Sequence, residues 1–219
     1  MPTVVIASPK GGAGKSTTAI ILGTELAYAG AEVVMLDCDP NHSLTLWAER
    51  APLPDRIKVL SSVSESDIVK TIKQHDTDGQ IVVVDLEGVA SRLVSRAISQ
   101  ADLVITPMRA TTLDATIGVR ALQLVAEEEE ALDRKIPHAV VFTMTKAIRS
   151  KQHSGIAESL AERGVDLIDP PLMERAAFSA LFEFGGNLRN MAAQGNMDGA
   201  IENAALFAQA VYKRLAGGV

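Results

Sequence analysis

With 219 residues, 47% of them hydrophobic but only 4% aromatic, the chain has the size for one domain around an aliphatic core, which suits a parallel sheet buried on both faces. A net charge of −6, from 21 basic and 27 acidic side chains, argues against a strongly basic nucleic-acid binder and leaves room for a local basic patch. The single cysteine, Cys38, excludes an internal disulfide and the multi-cysteine ligation of an iron–sulfur centre, and no apolar run approaches the ~20 residues of a membrane span.

Thr3-Val4-Val5-Ile6-Ala7 is short, apolar and β-branched, and reads as a strand. Pro9 to Thr17 follows, with glycine at 11, 12 and 14, and then Thr18 to Ala27 with apolar residues at helical spacing. Strand, glycine-rich turn and helix together make a cradle for phosphate. The glycines let the backbone approach an anion, and successive N–H groups point at it with a helix N-terminus behind them. Lys10, Gly11, Gly12, Ala13, Gly14, Lys15, Ser16 and Thr17 are therefore the candidate nucleotide-binding set. Lys15 is placed to reach the terminal phosphates, and the Ser16 hydroxyl to ligate Mg²⁺. A turn that bound nothing would need neither two lysines nor Ser16-Thr17.

The first helix is expected to end near Gly30, and Val33 to Leu36 forms the next strand. It runs out into Asp37-Cys38-Asp39-Pro40-Asn41, with acidic side chains at a strand's C-terminal end, where α/β sheets place their ligands. A short helix from Ser43 to Arg50 carries Trp47 as a packing anchor. Ile57 to Leu60 reads as an edge strand, and Ser64 caps a helix that runs to about His75. Ile81 to Val84 is a buried strand that delivers Asp85 to the metal side of a nucleotide site, where it would hold a water on Mg²⁺. Ser91 to Ser99 is a helix, and Asp102 to Thr106 the next strand, with Pro107 as its exit. Leu113-Asp114 opens a long helix to about Leu132, whose acidic run from Glu127 to Glu130 reads as a solvated face. His138 to Thr143, a helix from Lys151 to Arg163, and Val165 to Ile168 complete the alternation. A proline-containing loop then leads into an apolar helix that ends near Gly185-Gly186, and a final helix spans about Gly199 to Leu215.

Several of these stretches resemble one family. The usual phosphate loop is G-x-x-x-x-G-K-S/T, but this chain has Pro9 at the first position and a second lysine, Lys10, before the glycine pair. K-G-G-x-G-K-S/T resembles the deviant Walker A box of the ParA/MinD ATPases. Asp37 to Asn41 resembles that family's D-x-D-P-N/Q switch, and Ala101 to Pro107 its A-D-L-V-I-x-P strand. The passage from Pro170 through Phe178 is similar to its adenine-side loop. The likeness covers Thr3 to about Gly186, and without the N-terminal DNA-binding extension of larger relatives the chain resembles the small type. The run Asp85-Leu86-Glu87-Gly88 departs from the family and spells D-x-x-G, which resembles the second switch of GTPases. That likeness implies that the Gly88 N–H senses the γ-phosphate. Guanine-reading relatives carry N-K-x-D where this chain has Thr145-Lys146-Ala147-Ile148, which disfavours guanine.

The resemblance implies a single-domain α/β P-loop fold over residues 1–219, with a mostly parallel, doubly wound sheet and helices on both faces. It implies ATP and ADP as ligands with Mg²⁺, held at Ser16 and, through water, at Asp85 and Asp39. Lys10 would reach a partner's nucleotide in an ATP-dependent homodimer. Lys15 would serve the chain's own nucleotide, and Asp39 would position the attacking water. Asp37 would hold the turn or the metal's water shell. Pro171 and Met173 are candidates for an apolar clamp on adenine, with core filling as the equal alternative for Met173.

The implied activity is slow ATP hydrolysis that drives plasmid or chromosome partition in the bacterial cytoplasm, on the nucleoid. The ATP dimer would bind DNA non-specifically, and a partition-site-binding protein would stimulate hydrolysis. Scattered candidates for DNA contact are Arg149, Lys151, Arg189, Lys213 and Arg214. The alternative is a MinD-like or conjugation-associated positioning ATPase that recruits protein cargo or binds membrane. Against stable membrane anchoring, the C-terminal tail offers two basic residues and no Phe or Trp cluster.

Overall fold

The apolar runs become strands buried on both faces. The computed structural model describes residues 2–61, 63–76, 79–88, 91–146, 148 and 150–217. Its strands are β1 (Thr3–Ile6), β2 (Glu32–Cys38), β3 (Ile57–Leu60), β4 (Gln80–Leu86), β5 (Leu103–Arg109), β6 (His138–Thr143) and β7 (Asp166–Ile168). They form one sheet in the order β3-β2-β4-β1-β5-β6-β7, and every pairing is parallel. The chain leaves β1 for β2 and the edge strand β3, returns to β4 beside β1, then crosses to β5 on the other side. β1 therefore sits at the switch point of the sheet, where open α/β folds bind their ligands.

Alternation along each strand sorts the core into two layers. Val4 and Ile6, Val33 and Met35, and Ile81 and Val83 share one apolar cluster with α1 (Lys15–Tyr28), α2 (Ser43–Arg50), α7 (Ala176–Phe184) and α8 (Met197–Gly217). Val5, Val34, Leu36, Val82 and Val84 face the opposite side, against α3 (Ile68–His75), α4 (Arg92–Ile98) and α5 (Thr112–Leu132). Met108, Val140 and Phe142 on that side pack against Leu160 of α6 (Lys151–Glu162). The same period of two aims Asp37 and Asp85 at the α1 layer, and they are register partners on neighbouring strands.

Several boundaries differ from the sequence reading. β2 extends through Asp37 and Cys38, because the Asp37 carboxylate is used to start α2 and is not part of a turn. α1 begins at Lys15, directly after Gly14 at φ 90°. The helix expected from Ser64 starts at Ile68, and the Ser64 hydroxyl is bonded to Asp67. α5 is capped by Thr111, and α8 begins two residues early, at Met197. β5 runs through Pro107 although it lies inside the sheet. Val104 donates toward β6, to the Pro137 carbonyl, so the Pro107 nitrogen faces the β1 side, where pairing has already ended at Ile6↔Ile105. The missing N–H therefore breaks no ladder bond. Trp47 is fully buried and donates to the Gly186 carbonyl at 2.9 Å, as expected of an anchor.

Candidate functional site

The loop after β1 is shaped by its glycines. Gly12 and Gly14 have φ of 72° and 90°, a region closed to most side chains. Thr143 at the end of β6 braces the loop, its hydroxyl donating to the Ala13 carbonyl at 2.8 Å. Lys15 is buried, whereas Ser16 and Thr17 are partly exposed. Gly11 to Thr17 line a cavity of about 510 Å³ together with Asp39, Asn41, Glu87 and Gly88. Gly88 lies flat against the loop. A Cβ there would stand 3.2 Å from the Gly11 nitrogen and 3.3 Å from the Lys15 ammonium.

Three carboxylates gather at this edge with three different environments. The Asp37 Oδ2 accepts both the backbone N–H and the hydroxyl of Thr45, at 2.8 and 2.7 Å, which fixes the first turn of α2. The Asp39 Oδ1 accepts the backbone and side-chain N–H groups of Asn41, at 2.8 and 2.7 Å, and Asp39 lines the cavity. Asp85 is fully buried, and neither of its oxygens has a hydrogen-bond partner among the described residues. Burial pushes its carboxyl from 3.8 up to about 7, opposed by the Ser16 hydroxyl and Lys15 and assisted by Asp37 and Asp39. An unpartnered buried carboxylate beside a serine hydroxyl fits a hydrated divalent cation. The charge and water shell of such an ion would satisfy both oxygens. The Cys38 thiol, pushed up to about 12 by burial, stays protonated and plays no part.

Lys10 does not project freely from the loop. Its ammonium pairs with the buried carboxylate of Asp114, in the first turn of α5. Thr111 caps that turn and accepts the Asp114 N–H at 3.1 Å, and its own hydroxyl donates to Asp114 at 2.9 Å. The spacing Thr111-x-x-Asp114 is a capping box, the one local signal that could have singled out Asp114 in the sequence.

A second cavity of about 250 Å³ adjoins the first through Gly14, Thr17, Met144 and Phe182. Leu172, Met173 and Phe178 make its apolar wall. Met173 is thus where a clamp on a base would stand. Pro171 is not among the lining residues: it is buried, with its carbonyl held by Asn203 at 2.8 Å. Leu172 takes the place expected of it. The exit of β6 contributes as well, because Thr143 and Met144 line the same cavity.

The two joined cavities, one glycine-lined and one apolar, have the form of a nucleotide trough, and known proteins bear on it directly. A model of the VirC1 protein family matches residues 1–215. Protein ParA of Rhizobium radiobacter is 67% identical over 98% of each chain. The chain belongs to the ParA/MinD family of ATPases. Protein virC1 of the same organism is 29% identical, covering 84% of this chain and 82% of its own. The fold of Cyanothece McdA, solved as an aspartate-to-alanine variant with ATP, superposes with a TM-score of 0.78 at 19% identity, over 99% of this chain and 96% of that one.

In this ParA/MinD-family chain the basic residues considered for DNA are not equivalent. Arg189 forms a two-pronged pair with buried Glu25, one contact at 2.8 Å, and lies 3.8 Å over the Tyr28 ring. Arg214 grips Asp166 at 2.5 and 2.7 Å and the Leu167 carbonyl at 3.1 Å. Both are corrections to the sequence reading, because these guanidiniums are already committed within the fold. Lys151 and Lys213 are exposed, and Arg149 lies outside the described residues, as does Ala147. Part of the acidic run also has a structural task. Glu129 accepts the Ile136 N–H at 2.8 Å and pairs with Lys135 at 3.0 Å, which holds its carboxyl below the ordinary value. No helix of the described residues is long and apolar enough to cross a membrane.

Proposed function

We propose that this chain is an ATP-driven switch. With ATP bound it pairs with a second copy, and it hydrolyses ATP slowly to drive plasmid or chromosome partition. The observation that carries the reading is the buried, unpartnered Asp85 carboxylate beside a glycine loop that bears two lysines. ATP lies with its triphosphate on the backbone of Gly11 to Ser16 and its base toward Met173. Mg²⁺ at Ser16, and through water at Asp85, neutralises charge on the phosphates. Asp39, steadied by Asn41, orients a water toward the γ-phosphorus. As the new P–O bond forms, the bond to the β,γ-bridging oxygen breaks. Lys15 meets the charge that gathers on that oxygen, and the water's protons leave on the products. Lys10 exchanges Asp114 for the phosphates of the second copy, so ATP favours the pair and hydrolysis loosens it. Gly88, packed on the loop, reports the γ-phosphate to its own segment.

The pair binds DNA without sequence preference, and a partition-site-binding protein stimulates hydrolysis, in the cytoplasm and on the nucleoid. The high identity to a ParA protein supports this branch. ATP-dependent, salt-sensitive DNA binding by the purified protein, compared with Asp39→Ala, tests it. The variant should remain an ATP-bound pair on DNA. Normal hydrolysis by the variant would reject the role of Asp39, and DNA binding indifferent to ATP would reject the partition branch.

The VirC1 family match favours a second reading, a conjugation-associated or MinD-like positioning ATPase whose ATP form recruits protein cargo or a membrane. Liposome flotation and partner pull-down with ATP separate it from the first.

A further inference from the structure

The apolar cavity is backed by a helix that supplies none of its described lining. On α8 the inward stripe is Ala200, Ala204, Phe207, Ala208 and Val211, and within it sits one buried polar residue, Asn203. Its Oδ1 accepts the Met173 N–H at 2.9 Å, and its Nδ2 donates to the Pro171 carbonyl at 2.8 Å. These two peptide groups flank Leu172, and Leu172 and Met173 form the cavity wall. The amide satisfies both groups in one orientation only, since turning it over would set donor against donor and acceptor against acceptor. On its other side the same segment is tied to β6, through Leu172 N–H to the Phe142 carbonyl and Glu174 N–H to the Thr145 carbonyl, each at 2.9 Å. α8 makes a second approach nearby. A Cβ on Gly199 would stand 3.0 Å from Nη1 of Arg175, which also lines the cavity.

We infer that Asn203 is a positioning residue for the base of the nucleotide. It sets the height of Leu172 and Met173 against the ring, and so governs the part of the affinity that comes from the base while leaving the phosphate part alone. The inference rests on the reading of this trough as an adenine-nucleotide site. Without the amide, the Met173 N–H and the Pro171 carbonyl are buried and unmet, and the segment moves toward water to satisfy them.

The test is calorimetric titration of Mg²⁺-ATP and of Mg²⁺ with inorganic tripolyphosphate into wild type, Asn203→Ala and Asn203→Asp, with a thermal melt of each. Asn203→Ala should lower ATP affinity by about tenfold and leave tripolyphosphate affinity unchanged. Asn203→Asp keeps the acceptor for Met173 but opposes the Pro171 carbonyl, so it should fall between, and it provides the same ratio if the alanine variant does not fold. Affinities for the two ligands that fall together, or that both hold, would overturn the inference and leave Asn203 a packing residue. A wild type that binds tripolyphosphate as tightly as ATP would overturn the base-site reading and the inference with it.

Discussion

Replacing Asp85 by Asn should make the nucleotide-free protein more stable in alkali and change it little in acid. In the unfolded chain this carboxyl gives up its proton near 3.8, while in the fold, buried and without a donor, it holds the proton up to about 7. Between those values unfolding releases a proton, so wild-type stability falls as pH rises through the interval and levels off above it. At roughly 1.4 kcal/mol per pH unit, the interval corresponds to an upper limit on the order of 4 kcal/mol. The protonated acid and the amide leave similar polar atoms unmet, so variant and wild type should nearly coincide at about pH 4 and diverge by a few kcal/mol at about pH 8. Urea unfolding at several pH values is convenient to follow, because the only tryptophan, Trp47, is fully buried. Mg²⁺ with ATP should then raise the wild-type midpoint at pH 8 far more than the variant's. A stability difference independent of pH would refute the argument that an ionised, unpaired Asp85 is what the empty site tolerates at a cost.

Gly88→Ala would press a methyl on the Gly11 nitrogen and the Lys15 ammonium, so ATP binding and ATP-driven pairing should weaken several-fold while ADP binding holds. Fluorescent-nucleotide titration and light scattering measure these, and equal loss for both nucleotides would count against a γ-phosphate sensor. Arg189→Ala leaves Glu25, whose side chain is 4% exposed, without its partner and strips the cation from the Tyr28 ring. A loss of about 3 kcal/mol in urea unfolding is expected, and a loss below about 1 kcal/mol would show that the carboxylate reaches water.

What the sequence made legible was what lies close together in the chain. The glycine loop, the buried strands ending in acids and the anchoring Trp47 each carry their signal within a few residues. Asp37 misled because Asp before Pro is common in turns, whereas here the strand continues and the carboxylate serves Thr45, eight residues on. The partners of Lys10, Glu25 and Pro171 are 104, 164 and 32 residues away, and nothing local to those residues predicts them. Arg189 and Arg214 looked like surface cations for the same reason. Pro171 was singled out for its stiffness, but alternation along an extended segment turned Leu172 into the cavity, a detail that needed the segment's bridge to Thr145 to be known.

The placement of β1 between β4 and β5 has a consequence for how the protein is made. The strand that leads into the glycine loop emerges from the ribosome first, yet its sheet partners begin at Val82 and Leu103. A nascent chain shorter than about a hundred residues thus exposes an apolar strand with no neighbour on either side, and the loop has no frame to hold its shape. Nucleotide therefore offers no help to the early stages of synthesis, and any protection of the young chain has to come from helpers that shield bare strand edges.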